Sequence, residues 1–165
     1  MPEIFISIGS NVEREKHIPS ALRELERQFG PLTMSSIYES EAVGFEGDAF
    51  YNLVVGFQSD KPVQEVARIL GEIEVLHGRT RECKKFAPRT LDLDLILYGD
   101  LILQEGKLRL PREEVTRYAF MLEPLAEIAP DRKHPLLGRS YADLWMAYDK
   151  TEAKQQRVIP PWQLK

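Results

Sequence analysis

The sequence is poor in several things at once, and each shortage excludes a class of protein. One cysteine, Cys83, stands among 165 residues, so no disulfide can close within the chain, and no Cys/His spacing suits a zinc site. Positive charge is not in excess: 22 Lys and Arg face 26 Asp and Glu, giving a formal net charge of −4. That balance is wrong for a protein whose affinity comes from nucleic-acid phosphates. No apolar run approaches the roughly 18 residues of a membrane span, and Met1-Pro2-Glu3 lacks the basic segment of a secretion signal. There is neither a Walker-type glycine loop nor a G-x-G-x-x-G motif, and Gly9-Ser10-Asn11 fits neither, so any nucleotide site is built another way. No repeat, low-complexity tract or linker divides the chain. These absences predict one cytoplasmic domain over residues 1–165, with no nucleic-acid or membrane partner; a monomer is expected.

What is present is ordinary in bulk. With 43% hydrophobic and 29% charged residues, 10 Gly and 11 Pro, the composition is that of a soluble globular protein. A chain of this length buries about two-thirds of the surface its unfolded form exposes, enough for a real core. Ile4, Ile6 and Ile8 alternate with Phe5 and Ser7, which predicts a strand ending at Gly9-Ser10-Asn11. From about Lys16, the spacing of Ile18, Ala21, Leu22, Leu25 and Phe29 predicts a helix stopped at Gly30-Pro31. Residues 33–39 are compatible with a strand, and Phe50 to Phe57 alternates with Tyr51, Leu53, Val55 and Phe57 on one face. Pro62 opens a second helical stripe of Val63, Val66, Ala67, Leu70 and Ile73 that runs to His77-Gly78. A basic loop (79–89) then precedes an alternating strand from Thr90 to Tyr98, followed by a hairpin around Glu105-Gly106 that closes at Pro111.

The order βαββαβ is that of an α+β, ferredoxin-like antiparallel sheet with helices on one face. Extra helices are expected near 118–128 and 140–148, and residues 155–165 read as an irregular tail.

Chemistry concentrates in Pro88-Arg89-Thr90-Leu91-Asp92-Leu93-Asp94-Leu95-Ile96-Leu97. Strand side chains alternate, and a two-residue step spans about 7 Å, so Asp92 and Asp94 point the same way while Leu91, Leu93, Leu95 and Leu97 face the core. Two carboxylates on a rigid strand suit Mg²⁺, which is held by one or two carboxylates plus substrate phosphates. The plainer explanation is a solvated polar face, yet aspartate is depleted in strands and like charges on one face repel. Arg79, Arg81, Lys84, Lys85 and Arg89 put five cations just before the pair, which suits a triphosphate, although a charged loop alone is commonly just solvated. His17, His77 and His134 have no ligand spacing and read as surface or structural. Phe50, beside Asn52, and Phe86, in the basic loop, are placed where a flat heterocycle could stack.

Taken together, Ile8-Gly9-Ser10-Asn11, Phe50-Tyr51-Asn52, Ile73-Glu74, Gly78-Arg79-Thr80-Arg81, Pro88 to Asp94, Phe120-Met121-Leu122-Glu123-Pro124-Leu125 and Glu127-Ile128-Ala129-Pro130 resemble the 6-hydroxymethyl-7,8-dihydropterin pyrophosphokinases of folate biosynthesis. The resemblance covers most of residues 3–130. It implies transfer of the β,γ-pyrophosphoryl unit of the co-substrate ATP to the pterin hydroxymethyl oxygen, releasing AMP, with two Mg²⁺ ions held by Asp92 and Asp94. It gives Arg79, Arg89, Asp92 and Asp94 catalytic parts. Glu74, Arg79, Arg81, Lys85, Arg89, Leu95, Arg112 and Arg117 fall to the ATP side. The pterin would lie between Phe50 and Phe86, read by Asn52 and by residues Ser40, Val43 and Gly44, with Phe120 nearby.

Three positions depart from the family pattern: Phe86 stands for a usual tryptophan, Arg112 for a histidine and Tyr118 for an arginine. Two alternatives therefore stand beside the enzyme reading. One is a divergent paralogue that binds pterin and nucleotide with weak or altered activity; the other is a non-enzymatic ferredoxin-like binding module.

Overall fold

The isoleucines at 4, 6 and 8 lie along one side of the strand β1 (Glu3–Ser10) and are fully buried. In the computed structural model, which describes residues 1–40, 49–78 and 91–163, the elements that follow are α1 (Arg14–Phe29), β2 (Thr33–Met34), β3 (Ile37–Ser40), β4 (Phe50–Gln58), α2 (Val63–Leu76), β5 (Asp92–Tyr98), β6 (Leu103–Glu105), β7 (Leu108–Leu110), α3 (Glu114–Arg117), α4 (Ala119–Ile128), α5 (Tyr141–Ala147) and β8 (Gln155–Val158). The main sheet runs β5-β1-β4-β3-β8, with β2 also on β4, and every pairing in it is antiparallel. β6 and β7 form a separate hairpin. Among the described residues no helix is long and apolar enough to cross a membrane.

Each face of the sheet has its own core. On the first, Ile4, Ile6 and Ile8 of β1 meet Tyr51, Leu53, Val55 and Phe57 of β4 and Leu93 and Leu95 of β5. The helical stripes cover them: Ile18, Ala21, Leu25 and Phe29 from α1, and Val63, Val66, Ile69, Leu70 and Ile73 from α2. Each fully buried aliphatic side chain of this kind contributes roughly 1.5–3 kcal/mol relative to leaving it exposed. α1 stops where its spacing predicts, at Gly30, whose φ of 85° lies in the region that favours glycine. On the second face, Phe5, Val54, Ile96 and Leu97 are covered by Val115 of α3, Met121, Leu122 and Leu125 of α4 and Tyr141 of α5. Helices therefore lie on both faces, where the sequence pattern predicts one.

Three further expectations need correction, and one element is unexpected. Leu97 does not share a face with Leu93 and Leu95, because a register shift between Phe5/Ile6 pairs Phe5 with Leu97 and Ile6 with Leu95. The extra residue, Ile96, makes a β-bulge, and Ile96 and Leu97 both end in the second core. The predicted strand over 33–39 is broken at Ser35, whose Oγ accepts the Val54 N–H at 2.9 Å, while Ser36 turns its N–H and hydroxyl to Glu127 of α4 at 3.0 and 2.7 Å. The C-terminal stretch is not an irregular tail: Gln155–Val158 pairs with β3, Arg157 opposite Tyr38, and Trp162 packs edge-on to Tyr51 with ring centroids 5.9 Å apart. An edge strand is held by backbone pairing and needs no apolar alternation, which Gln155-Gln156-Arg157 does not offer. Finally, α3 has no periodic signature in its four residues.

The three histidines are buried. His77 pairs Nδ1 with the Ile73 carbonyl and Nε2 with Ser20 Oγ, at 2.7 and 2.8 Å, and His17 lies edge-on to it at 5.4 Å between centroids. They fasten the start of α1 to the end of α2, a structural use.

Candidate active site

The second face of the sheet is apolar at one end and polar at the other. Registers place Tyr38, Asn52, Gly9 and Asp92 in one row across β3, β4, β1 and β5. Val54, Ser7 and Asp94 make the next row, and Ser40 lies opposite Phe50 on the other side. The helices of the second core cover the apolar end and reach the polar row at Tyr38, which Glu127 of α4 engages.

Asp92 and Asp94 thus project from the same side of β5, as the alternation requires, and both are partly exposed. Among the described residues no three His, Cys, Asp or Glu side chains gather closely enough to hold a metal unaided. Two carboxylates with room for water or phosphate oxygens suit Mg²⁺ and not a closed zinc site. The strand itself is fixed from outside: Glu74, in the last turn of α2, accepts the Leu93 N–H at 2.8 Å. Glu74 therefore meets the backbone between the two aspartates. Leu95 sends its side chain the opposite way, into the first core, where it is 6% exposed, so the face that carries the aspartates sees only its backbone.

Two arginines of the expected nucleotide side fall in different settings. Arg112 places Nη2 3.8 Å from Asp94 Oδ1 and Nε 2.9 Å from Glu114 Oε2. Arg117 is more than half exposed and pairs with Glu113 at 2.8 Å, one turn back on its own helix. The side chain at 118, tyrosine, stacks on Phe120 with centroids 5.2 Å apart, and Phe120 packs against the second core.

Ser40 and Asn52, separated by a long loop in sequence, are joined: Asn52 Nδ2 donates to Ser40 Oγ at 2.9 Å. Asn52 is buried. Gly9 explains how it fits, since a Cβ at that position would stand 2.9 Å from Asn52 Oδ1 and 3.8 Å from the Phe50 ring. Glycine inside a strand marks such a close approach, and that is the one signal by which the sequence could have singled out Gly9 as part of the site. Glu114 offers no such signal.

Beside this row lies a partly buried polar cluster. Glu127 accepts from the Tyr38 hydroxyl at 2.8 Å as well as from Ser36, and Arg157 Nε donates to the same tyrosine oxygen at 3.1 Å. Burial pushes the Tyr38 hydroxyl well above its ordinary range, and the Glu127 carboxylate adds to the shift. Burial also pushes Glu127 upward, but hydrogen bonds from Ser36 and Tyr38 and the charge of Arg157 outweigh it and leave its pKa below the ordinary value. An ionised Glu127 pins β3 to α4 next to Asn52.

The candidates Arg79, Arg81, Lys85, Phe86 and Arg89, and Val43 and Gly44, lie outside the described residues.

Comparison with known proteins bears on the family and the fold. The family model described as 7,8-dihydro-6-hydroxymethylpterin-pyrophosphokinase (HPPK) matches residues 5–130. The chain is 33% identical over 138 residues to the 2-amino-4-hydroxy-6-hydroxymethyldihydropteridine pyrophosphokinase of Aquifex aeolicus (strain VF5), covering 82% of this chain and 86% of that protein. It is 39% identical over 117 residues to the protein of the same name from Synechocystis sp., covering 71% of this chain and 60% of that one. Its fold is similar to that of wild-type Plasmodium falciparum HPPK-DHPS crystallised with SDX-DHP, with a TM-score of 0.72 at 14% identity. That match covers 96% of this chain and 47% of the longer Plasmodium chain.

Proposed function

The chain belongs to the 7,8-dihydro-6-hydroxymethylpterin-pyrophosphokinase family and is a diphosphotransferase using ATP, and from that premise we propose that it carries the β,γ-pyrophosphoryl unit of ATP to 6-hydroxymethyl-7,8-dihydropterin with Mg²⁺ bound at Asp92 and Asp94. The observation that carries the proposal is the row in which Asp92, Gly9 and Asn52 stand side by side on three neighbouring strands. Metal-ligating carboxylates and a buried amide able to read a heterocycle edge meet there on one face of the sheet. The path β5-β1-β4-β3, with β1 inside and all neighbours antiparallel, supports reading the sheet as ferredoxin-like.

In this reading Asn52, held by Ser40, presents its amide to the pterin edge, and Phe50 offers a stacking surface. The pterin hydroxymethyl oxygen forms a bond to the β-phosphorus as the bond from that phosphorus to the α,β-bridging oxygen breaks. AMP leaves with the bridging oxygen, and the hydroxyl proton passes to solvent. Magnesium, when bound, offsets charge on the phosphate oxygens. Arg79, Arg81, Lys85 and Arg89 are assigned to the same charge by the resemblance, Phe86 to the second stacking surface, and Val43 and Gly44 to backbone contacts with the pterin. Phosphoryl transfer asks the protein for positioning and charge compensation above all, and the rigid strand carrying Asp92 and Asp94 supplies the first.

The experiment is ³¹P NMR of a mixture of ATP, Mg²⁺ and 6-hydroxymethyl-7,8-dihydropterin. The expected products are AMP and pterin diphosphate in equal amounts, formed only when pterin is present. ADP, free phosphate or pterin-independent AMP would overturn the assignment.

A second reading, a paralogue with a slowed or redirected reaction, is favoured by one observation. Tyr118 stacks on Phe120 in place of an arginine, while the neighbouring Arg117 is engaged with Glu113. A rise in turnover for Tyr118→Arg would support it, and an unchanged or lower rate would remove it.

A further inference from the structure

Arg112 sits where the path of the chain fixes it. It follows the β6–β7 hairpin, and its backbone N–H donates to the Ile96 carbonyl of β5 at 3.1 Å, at the bulge. Its guanidinium then reaches two carboxylates, with Arg112, Asp94 and Glu114 exposed to 29, 26 and 30%. The two contacts are unequal. At 2.9 Å the Glu114 contact is a charge-assisted hydrogen bond, whereas 3.8 Å to Asp94 is proximity of charge without one. Glu114 holds the arginine, and Asp94 feels its charge.

We propose that Arg112 is a built-in counter-cation for Asp94, tethered by Glu114, and that it sets how tightly the aspartate pair takes a divalent cation. The inference rests on the reading of Asp92 and Asp94 as metal ligands. Two carboxylates one pleat apart on the same face repel each other, and a fixed guanidinium relieves that repulsion in the cation-free chain. The same positive charge opposes an incoming divalent ion. Because the strong contact is to Glu114, Arg112 keeps its place whether or not a cation sits at Asp94. Arginine keeps its charge at every working pH, so the brake is permanent.

The test measures Mn²⁺ binding to the nucleotide-free protein by electron paramagnetic resonance. Arg132→Gln serves as a control for net charge, since Arg132 pairs with Glu3 at the far end of β1. Arg112→Gln is expected to tighten Mn²⁺ binding about fivefold, the order of a partly exposed charge contact, with Arg132→Gln close to wild type. In EDTA, Arg112→Gln should melt below wild type, with the gap closing as Mn²⁺ is added. Equal affinity in Arg112→Gln and wild type, or an equal shift in Arg132→Gln, overturns the proposal while leaving the metal site standing, provided Asp94→Asn abolishes binding. Absence of any Mn²⁺ binding that depends on Asp94, in both wild type and Arg112→Gln, overturns the metal site and the proposal with it.

Discussion

The two faces of the sheet are built from the same strands and serve different ends. On the first face the rows of Ile4, Ile6 and Ile8 are aliphatic or aromatic from β5 to β4, and two helices close them. On the second, Phe5, Val54, Ile96 and Leu97 are closed by α3, α4 and α5, whereas Asp92, Gly9, Asn52 and Ser40 lie toward the other end, and Asp94 shares a row with Val54 at the boundary. Because a strand alternates strictly, Ile8 can anchor the fold while Gly9, its neighbour, shapes the site. Stability and chemistry are thereby assigned to opposite sides of one layer and should respond separately to substitution.

The largest expected effect belongs to the first face. Leu25→Ala empties a fully buried position under α1 and should lower unfolding free energy by about 2–5 kcal/mol in urea titration, leaving both KM values of the folded enzyme unchanged. A shifted KM would break the separation of faces. Gly9→Ala should do the reverse. Its Cβ meets Asn52 Oδ1 at 2.9 Å, so the Asn52 amide must shift from its place beside Ser40, and KM for pterin should rise about tenfold with KM for ATP within about twofold. An unchanged pterin KM would separate Asn52 from substrate recognition.

Acid sharpens the comparison from a third direction. Burial lowers His17 from its ordinary value of 6.5, with His77 and Lys16 adding to the effect, and burial alone lowers His134. The unfolded chain therefore binds more protons than the folded one as pH falls below about 6.5. Stability is full above that value and is lost as pH drops through the folded pKa values, so thermal midpoints should fall between pH 7 and 5.5. A flat profile would contradict neutral, buried imidazoles. The smallest effect is expected at Arg117: its exposed pair with Glu113 predicts that Arg117→Gln changes stability by less than about 0.5 kcal/mol in the same urea titration.

Much of this was legible in the sequence because period-2 and period-3.6 patterns report which side is buried. The patterns of residues 4–8, 18–29, 50–57 and 63–73 all lead to observed elements, and Asp92 and Asp94 share a face as their spacing requires. What stayed hidden depends on contacts between distant segments. The bulge at Ile96 is a property of how β5 lies on β1, and no residue type announces it. β8 is held by the backbone of β3, so Gln155-Gln156-Arg157 looked structureless. The Asn52–Ser40 bond and the Arg112–Glu114 tether join residues through side-chain geometry that spacing does not encode. Phe86 and the basic residues before Asp92 rest on the sequence and the resemblance, because they lie outside the described residues.

The most direct test of the account is Asp94→Ala, assayed for pterin-dependent AMP and for unfolding in urea on the same preparation. The account predicts a loss of about a thousandfold or more in turnover with unfolding free energy within about 1 kcal/mol of wild type, since Asp94 loses both its repulsion from Asp92 and its attraction to Arg112. Turnover retained within tenfold would contradict it, because the polar half of the second face would then not be where the chemistry occurs.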